Sequence, residues 1–273
     1  MSHLGTLCIC YTFEIMNAYE FRILGALLLI LFSNSCKKKD SVTNGAAGAG
    51  GNYTPTSITQ SAASSWYAIF EVGKFIEIGG YSPGTYNLSE VYFFKTPQSF
   101  PGEGGAMVDS VCLNGVPLLF EFSNDSAYVD TTGFMQGTFH QIAYPYTFRV
   151  FGKGPIPSFV YTRNGPFPTY TGYSALPGTI TRSAGFTLDL QTMSKMDNIE
   201  VNIHGGAGTK VTKDIYPPFP SSITFSGLDL APLDTSSNAS IEIVLVKSDN
   251  LNVNGKDMFF SDGLNVTKYI SLK

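Results

Sequence analysis

Beyond residue 55 the chain alternates apolar and polar residues with a period of two. Ile199-Glu200-Val201-Asn202-Ile203-His204 sets three aliphatic side chains on one face and three polar ones on the other, the pattern of a half-buried strand. Phe186, Leu188 and Leu190 alternate with Thr187, Asp189 and Gln191 in the same way. In Ile241–Val246 the second face is apolar too, through Val244 and Val246, which predicts a central strand covered on both sides. Similar runs lie at Trp66–Ile78, Val91–Phe94, Val108–Leu113, Leu118–Phe122 and Phe148–Phe151, separated by Gly, Pro, Asn, Asp and Ser. No stretch after residue 55 holds a long 3.6-residue period with helix caps. Strands at roughly 8–12-residue spacing predict an all-β chain built as sandwiches.

The strand pattern breaks twice around residues 152–165, at Gly152-Lys153-Gly154-Pro155-Ile156-Pro157 and at Arg163-Asn164-Gly165-Pro166. The break divides the body into residues 56–164 and 165–273, each the size of one immunoglobulin-like sandwich. The expectation is two tandem immunoglobulin-like β-sandwich domains, with one larger continuous sandwich as the alternative.

The front of the chain has another character. Arg22 precedes the ten-residue apolar run Ile23–Phe32, too short for a spanning helix, which needs about 20 residues. Small residues Ser33-Asn34-Ser35 follow, then Cys36 and Lys37-Lys38-Lys39-Asp40. A charged flank, a short apolar stretch and small residues make a secretory signal. Over residues 16–40 the segment resembles a bacterial lipoprotein signal of the Bacteroidota type. That resemblance implies cleavage after residue 35, lipidation of Cys36, and anchoring in the cell envelope at the outer membrane, on its periplasmic face or the cell surface. Residues 1–35 are read as the signal, with Met16 offering a second start and a 20-residue signal. Residues 36–55, rich in Lys, Ser, Gly, Ala, Asn and Thr, read as a lipid-anchored flexible linker.

Composition narrows the function classes. Only 14% of residues are charged and the net charge is -4, which excludes a coiled coil and a basic nucleic-acid binder. Of the four cysteines, Cys8 and Cys10 fall in the leader and Cys36 carries lipid in this reading. Cys112 is then alone, with no internal disulfide to form, and its strand-like surroundings predict a buried, inert thiol.

Several motifs tempt towards catalysis and each fails on chemistry. Gly80-Tyr81-Ser82-Pro83-Gly84 has the spacing of a hydrolase elbow, but the residue after the nucleophile must donate its backbone N–H, and Pro83 has none. His204-Gly205-Gly206-Ala207-Gly208 is like an esterase oxyanion loop, without a nucleophile or base beside it. His140 and His204 are far apart, with no Cys or His at ligand spacing, so no metal site is predicted. Asn250-Leu251-Asn252-Val253-Asn254-Gly255 starts like a calcium loop but puts Ser261 where a bidentate Glu is needed. Asn254-Gly255 between apolar runs is instead a strong hairpin signal. Glu71 and Glu77 read as solvated strand positions rather than a glycosidase pair. Trp66 reads as core. No cofactor is implied.

The one cluster with binding character lies at the proposed domain junction. Phe159, Tyr161, Phe167, Tyr170 and Tyr173 occupy Pro- and Gly-rich sequence. Such rings stack on sugar faces and their phenols bond hydroxyls; their other use is to fill an interface between domains. The body as a whole resembles Bacteroidota lipoproteins built from immunoglobulin-like β-domains. The residues that carry this are Gly154–Thr162, Leu176–Phe186 and the ending Asn254-Gly255-Lys256 through Thr267-Lys268-Tyr269. Nothing catalytic follows from it. The expected function is a non-catalytic binding, adhesion or scaffold module attached to the membrane through Cys36, with a glycan or protein partner. A glycan-binding accessory protein using the junction aromatics is the first alternative and a secreted hydrolase the second.

Overall fold

A computed structural model describes residues 58–60, 65–80, 83–98, 105–121, 127–129 and 142–273. The predicted signal, Cys36, the linker, Tyr81, Ser82 and His140 lie outside the described residues. The chain runs β1 (Ile58–Gln60), β2 (Trp66–Ile78), β3 (Gly84–Gln98), β4 (Ser110–Leu113), β5 (Val116–Pro117), β6 (Leu119–Glu121), β7 (Ala127–Val129), β8 (Tyr146–Phe151) and β9 (Phe159–Arg163). Then follow β10 (Thr169–Tyr170), β11 (Thr179–Ile180), β12 (Phe186–Asp189), β13 (Met193–Ser194), β14 (Asn198–His204), β15 (Lys210–Ile215), β16 (Ser222–Phe225), β17 (Ser236–Val253) and β18 (Lys256–Leu272). The protein is all-β, as its period-two pattern predicts. Among the described residues one α-helical turn, Gly227–Leu230, carries a capping box between Ser226 and Asp229, beside two 3-10 turns at Gly172–Ala175 and Gly206–Gly208.

One ten-stranded sheet organises the molecule, with the path β15-β14-β17-β18-β2-β3-β7-β6 and two further strands off it, β1 on β17 and β11 on β18. Its spine is the β17–β18 hairpin, turned at Asn254-Gly255, where both residues have positive φ (49° and 78°). This is the backbone that a two-residue Asn-Gly turn supplies. The hairpin strands have 18 and 17 residues, far beyond the usual five or six. They are long because they serve two cores on the same sheet face. Leu251, Val253, Met258 and Phe260 enter the first core; Ala239, Ile241, Ile243, Leu245, Leu264 and Val266 enter the second. Pairing runs without a register shift from Ala239↔Ile270 to Val253↔Lys256, so the two sets keep one face throughout.

The first core is closed by a four-stranded sheet, β5-β4-β8-β9. Its centre is aromatic: Phe70 stacks on Phe260 at 4.4 Å and meets Phe148 and Phe159 edge-on at 5.0 and 5.7 Å. Full burial of each such ring contributes about 1.5–3 kcal/mol. The second core is closed by the short pairs β10–β13 and β12–β16 and by the helical turn, through Leu188, Phe225, Leu230 and Leu233. Both are sandwiches of a long sheet against smaller ones.

The expected boundary at 164/165 falls just after β9, and ladders cross it. β2 pairs in parallel with β18 from Met258↔Ala68 to Lys268↔Ile78. Each core therefore draws on both sides of that boundary: the first takes Leu251–Phe260 from the far half, and Ile76 and Ile78 pack against the second. The expectation for Val244 and Val246 needs correction. β17 is central, between β14 and β18, but both side chains are half-buried rather than covered, because the opposing layer lies on the other face.

Candidate functional site

The inner face of the long sheet is polar where the cores meet. Along β18 the inward positions read Phe260, Asp262, Leu264: first core, a carboxylate, second core. Asp262 is fully buried. On the facing sheet, Tyr146 and Arg163 are register partners of β8 and β9, and both reach it. Arg163 Nε donates to Asp262 Oδ2 at 2.8 Å and its Nη2 lies 2.6 Å from the same oxygen. The Tyr146 hydroxyl donates to Asp262 Oδ1. Arg163 Nη1 also pairs with Asp249, and Nη2 donates to the Lys247 carbonyl at 3.3 Å. The carboxylate thus receives donors on both oxygens, the arrangement a buried charge requires.

The electrostatics follow from this geometry. Burial opposes the charge on Arg163, but Asp262 and the neighbouring phenols outweigh it and hold the guanidinium protonated. Burial and then Asp262 drive the Tyr146 phenol far above its ordinary value; Tyr144 is raised by burial and by the nearby Asp262 carboxylate, while its own hydroxyl is buried without a hydrogen-bond partner among the described residues. Both phenols are therefore neutral, and Tyr146 is the one that donates. Beside the cluster lies a cavity of about 260 Å³, lined by Tyr144, Tyr161, Arg163, Lys247, Asp249 and Asp262 among others. Gly165 makes room at its edge: a Cβ there would lie 3.1 Å from Lys247 Nζ.

Only Tyr161 of the five predicted aromatic residues lines this cavity. It is half-buried and packs on Phe260 at 4.5 Å. Phe159 is fully buried in the first core, where its ring meets Phe70. Phe167 is half-buried against Tyr144 at 4.7 Å and Tyr146 at 6.1 Å. Tyr170 is buried in the second core, its phenol pushed up to about 12 by burial and then Asp189. Tyr173 packs on that same core, edge-on to Tyr170 at 6.2 Å. The rings divide between two cores, so they form no single stacking platform.

The other singled-out residues take structural places. Trp66 is half-buried and lies 4.7 Å from the Phe259 ring. Cys112 is a free thiol, half-buried rather than buried as expected, because β4 turns it away from the core that holds Val111 and Leu113. Asn252 serves the hairpin: its Oδ1 accepts from Gly255 N at 2.8 Å and its Nδ2 donates to Asp257 at 2.9 Å. Glu71 faces Glu90 across the β2–β3 ladder, outside the cavity at the core junction.

His204 belongs to a network on the outer face of the sheet. Its Nε2 lies 3.1 Å from Glu242 Oε2, which also accepts from Asn202 Nδ2 at 3.0 Å. Glu242 Oε1 accepts from Asn265 Nδ2 at 2.8 Å. Burial favours the neutral acid, but the hydrogen bonds from Asn265, His204 and Asn202 outweigh it and hold Glu242 below the usual carboxylate range. One carboxylate thereby joins β14, β17 and β18.

Among the described residues no group of three or more His, Cys, Asp or Glu side chains is placed to hold a metal ion. No helix among them is long and apolar enough to cross a membrane. Comparison with known proteins finds no matching family model, no matching curated protein and no matching solved structure.

Proposed function

We propose that the protein is a non-catalytic binding module of the bacterial cell envelope, moored by lipid on Cys36, with an immunoglobulin-like sandwich body. The observation that carries this reading is the state of the junction carboxylates. Asp249 and Asp262 border a ligand-sized cavity, yet both are paired with Arg163. A general acid or nucleophile must be able to change its proton or its partner; carboxylates held this way instead fix the shape of a binding surface. Tyr161 supplies an aromatic wall and Lys247 and Asn164 polar edges.

A glycan-binding accessory role through the junction aromatics is the second reading. Tyr161 at the cavity favours it; the burial of Phe159 and Tyr170 confines it to that one ring. Two measurements test the proposal. Metabolic labelling with palmitate should mark the wild-type chain and not Cys36→Ala, and that substitution should move the protein out of the membrane fraction. Turnover of esters, peptides or glycosides by the purified chain at enzyme-like rates, lost in Asp249→Asn, would establish a hydrolase instead.

A further inference from the structure

On the sheet face turned away from both cores, Phe75 and Tyr86 are register partners of β2 and β3. Their rings stack at 5.0 Å with 4° between planes. The Phe75 ring lies over Gly73, where a Cβ would come within 2.7 Å of it. With Glu77, Asn265, Thr267 and Tyr269, these two rings line a shallow cavity of about 140 Å³.

Its polar groups are biased towards accepting. Thr267 donates its hydroxyl to Asn265 Oδ1 at 3.1 Å, and Asn265 donates to Glu242 at 2.8 Å. The Tyr269 phenol is raised by burial, then by the Glu77 charge and its hydrogen bond to that carboxylate. These hydroxyl protons are used on neighbours, which leaves lone pairs on Thr267, Asn265 and Glu77. Among the described residues no Lys or Arg lines the cavity.

We propose that this slot binds one pyranose ring of a neutral glycan. The aromatic walls accept the apolar C–H face of a sugar, and the acceptors take its hydroxyl protons. Glu77 repels uronates and sulfates. A cavity this small, below the roughly 300 Å³ of a typical drug-sized site, holds a single ring while the rest of the chain lies along the open sheet. The site is independent of the junction cavity and of the anchor, and its residues come from β2, β3 and β18.

The test is calorimetric titration of the purified full-length chain with cellohexaose, xylohexaose and mannohexaose, with trigalacturonate and tetramethylammonium chloride as contrasting probes. Saturable binding of at least one hexasaccharide is expected, with none of trigalacturonate. Tyr269→Ala and Gly73→Ala, the latter displacing the Phe75 ring, should weaken it about 3- to 10-fold. Tyr161→Ala at the junction should leave it unchanged. Thr267→Val keeps the slot's shape and should also weaken binding, so a misfolded alanine variant does not leave the matter undecided. The proposal is overturned if no hexasaccharide binds, if trigalacturonate binds as well, if tetramethylammonium is the only ligand, or if Tyr161→Ala alone abolishes binding.

Discussion

Arg163 and Asp262, 99 residues apart in sequence, meet between two hydrophobic cores at 2.8 Å (Nε to Oδ2). Both are buried, with 3% and 0% of their surface exposed, so each is the other's counter-charge inside the fold. Removing one partner of such a pair costs about 3–5 kcal/mol, because the other stays behind unpaired. Arg163→Met should lose that much in urea unfolding. Arg163→Met combined with Asp262→Leu should recover a large part of it, since no buried charge is then stranded at that position. A double variant no more stable than the single one would show that the pair does not act as a unit.

The hairpin turn sets a second expectation. Gly255 has φ of 78°, a region that costs an L-residue with a side chain about 1–2 kcal/mol. A Cβ at Gly255 would meet nothing within 4 Å, so Gly255→Ala isolates the backbone cost. Thermal unfolding should show a lower midpoint, with the far-UV spectrum unchanged.

Much of the sheet is legible in the sequence, and what is hidden has a physical cause. Asn254-Gly255 announces the hairpin because only a local backbone preference is needed. The length of its strands does not show. Lys247-Ser248-Asp249-Asn250 lacks the apolar positions of the period-two pattern, yet the ladder continues through Lys247↔Asp262 and Asp249↔Phe260. The polar run is tolerated because it lies between the two cores, beside Arg163. Arg163 itself sits in Arg163-Asn164-Gly165-Pro166 and reads as a loop residue; its partners come from strands near the far end of the chain. Phe75 and Tyr86 meet across the antiparallel β2–β3 ladder, but Tyr269 joins them only through the parallel pairing of β2 with β18, and no local spacing records a parallel pairing.

The aromatic centre of the first core should be intolerant of loss. Phe260 stacks on Phe70 at 4.4 Å and touches the rings of Phe148 and Tyr161. Phe260→Ala removes a fully buried ring and leaves a cavity, at a cost of about 3–5 kcal/mol. Phe260→Leu keeps more of the volume and should cost less. Equal losses in chemical denaturation would mean that the site collapses freely around the deletion.

Glu242 makes the outer-face network sensitive to acid. Its folded pKa is depressed, with burial opposed by hydrogen bonds from Asn265, His204 and Asn202. The unfolded chain, near the ordinary Glu value of about 4.3, therefore binds its proton first as pH falls. The stabilisation is complete above the unfolded value and is lost as pH drops through the lower folded one. Glu242→Gln removes this dependence and turns an N–H₂ towards groups that donate to the carboxylate, which costs about 1–3 kcal/mol at neutral pH. Urea midpoints measured between pH 7 and pH 3 should converge for wild type and Glu242→Gln at the acid end. A gap that stays constant across that range would mean that the carboxylate's charge contributes nothing to joining β14, β17 and β18.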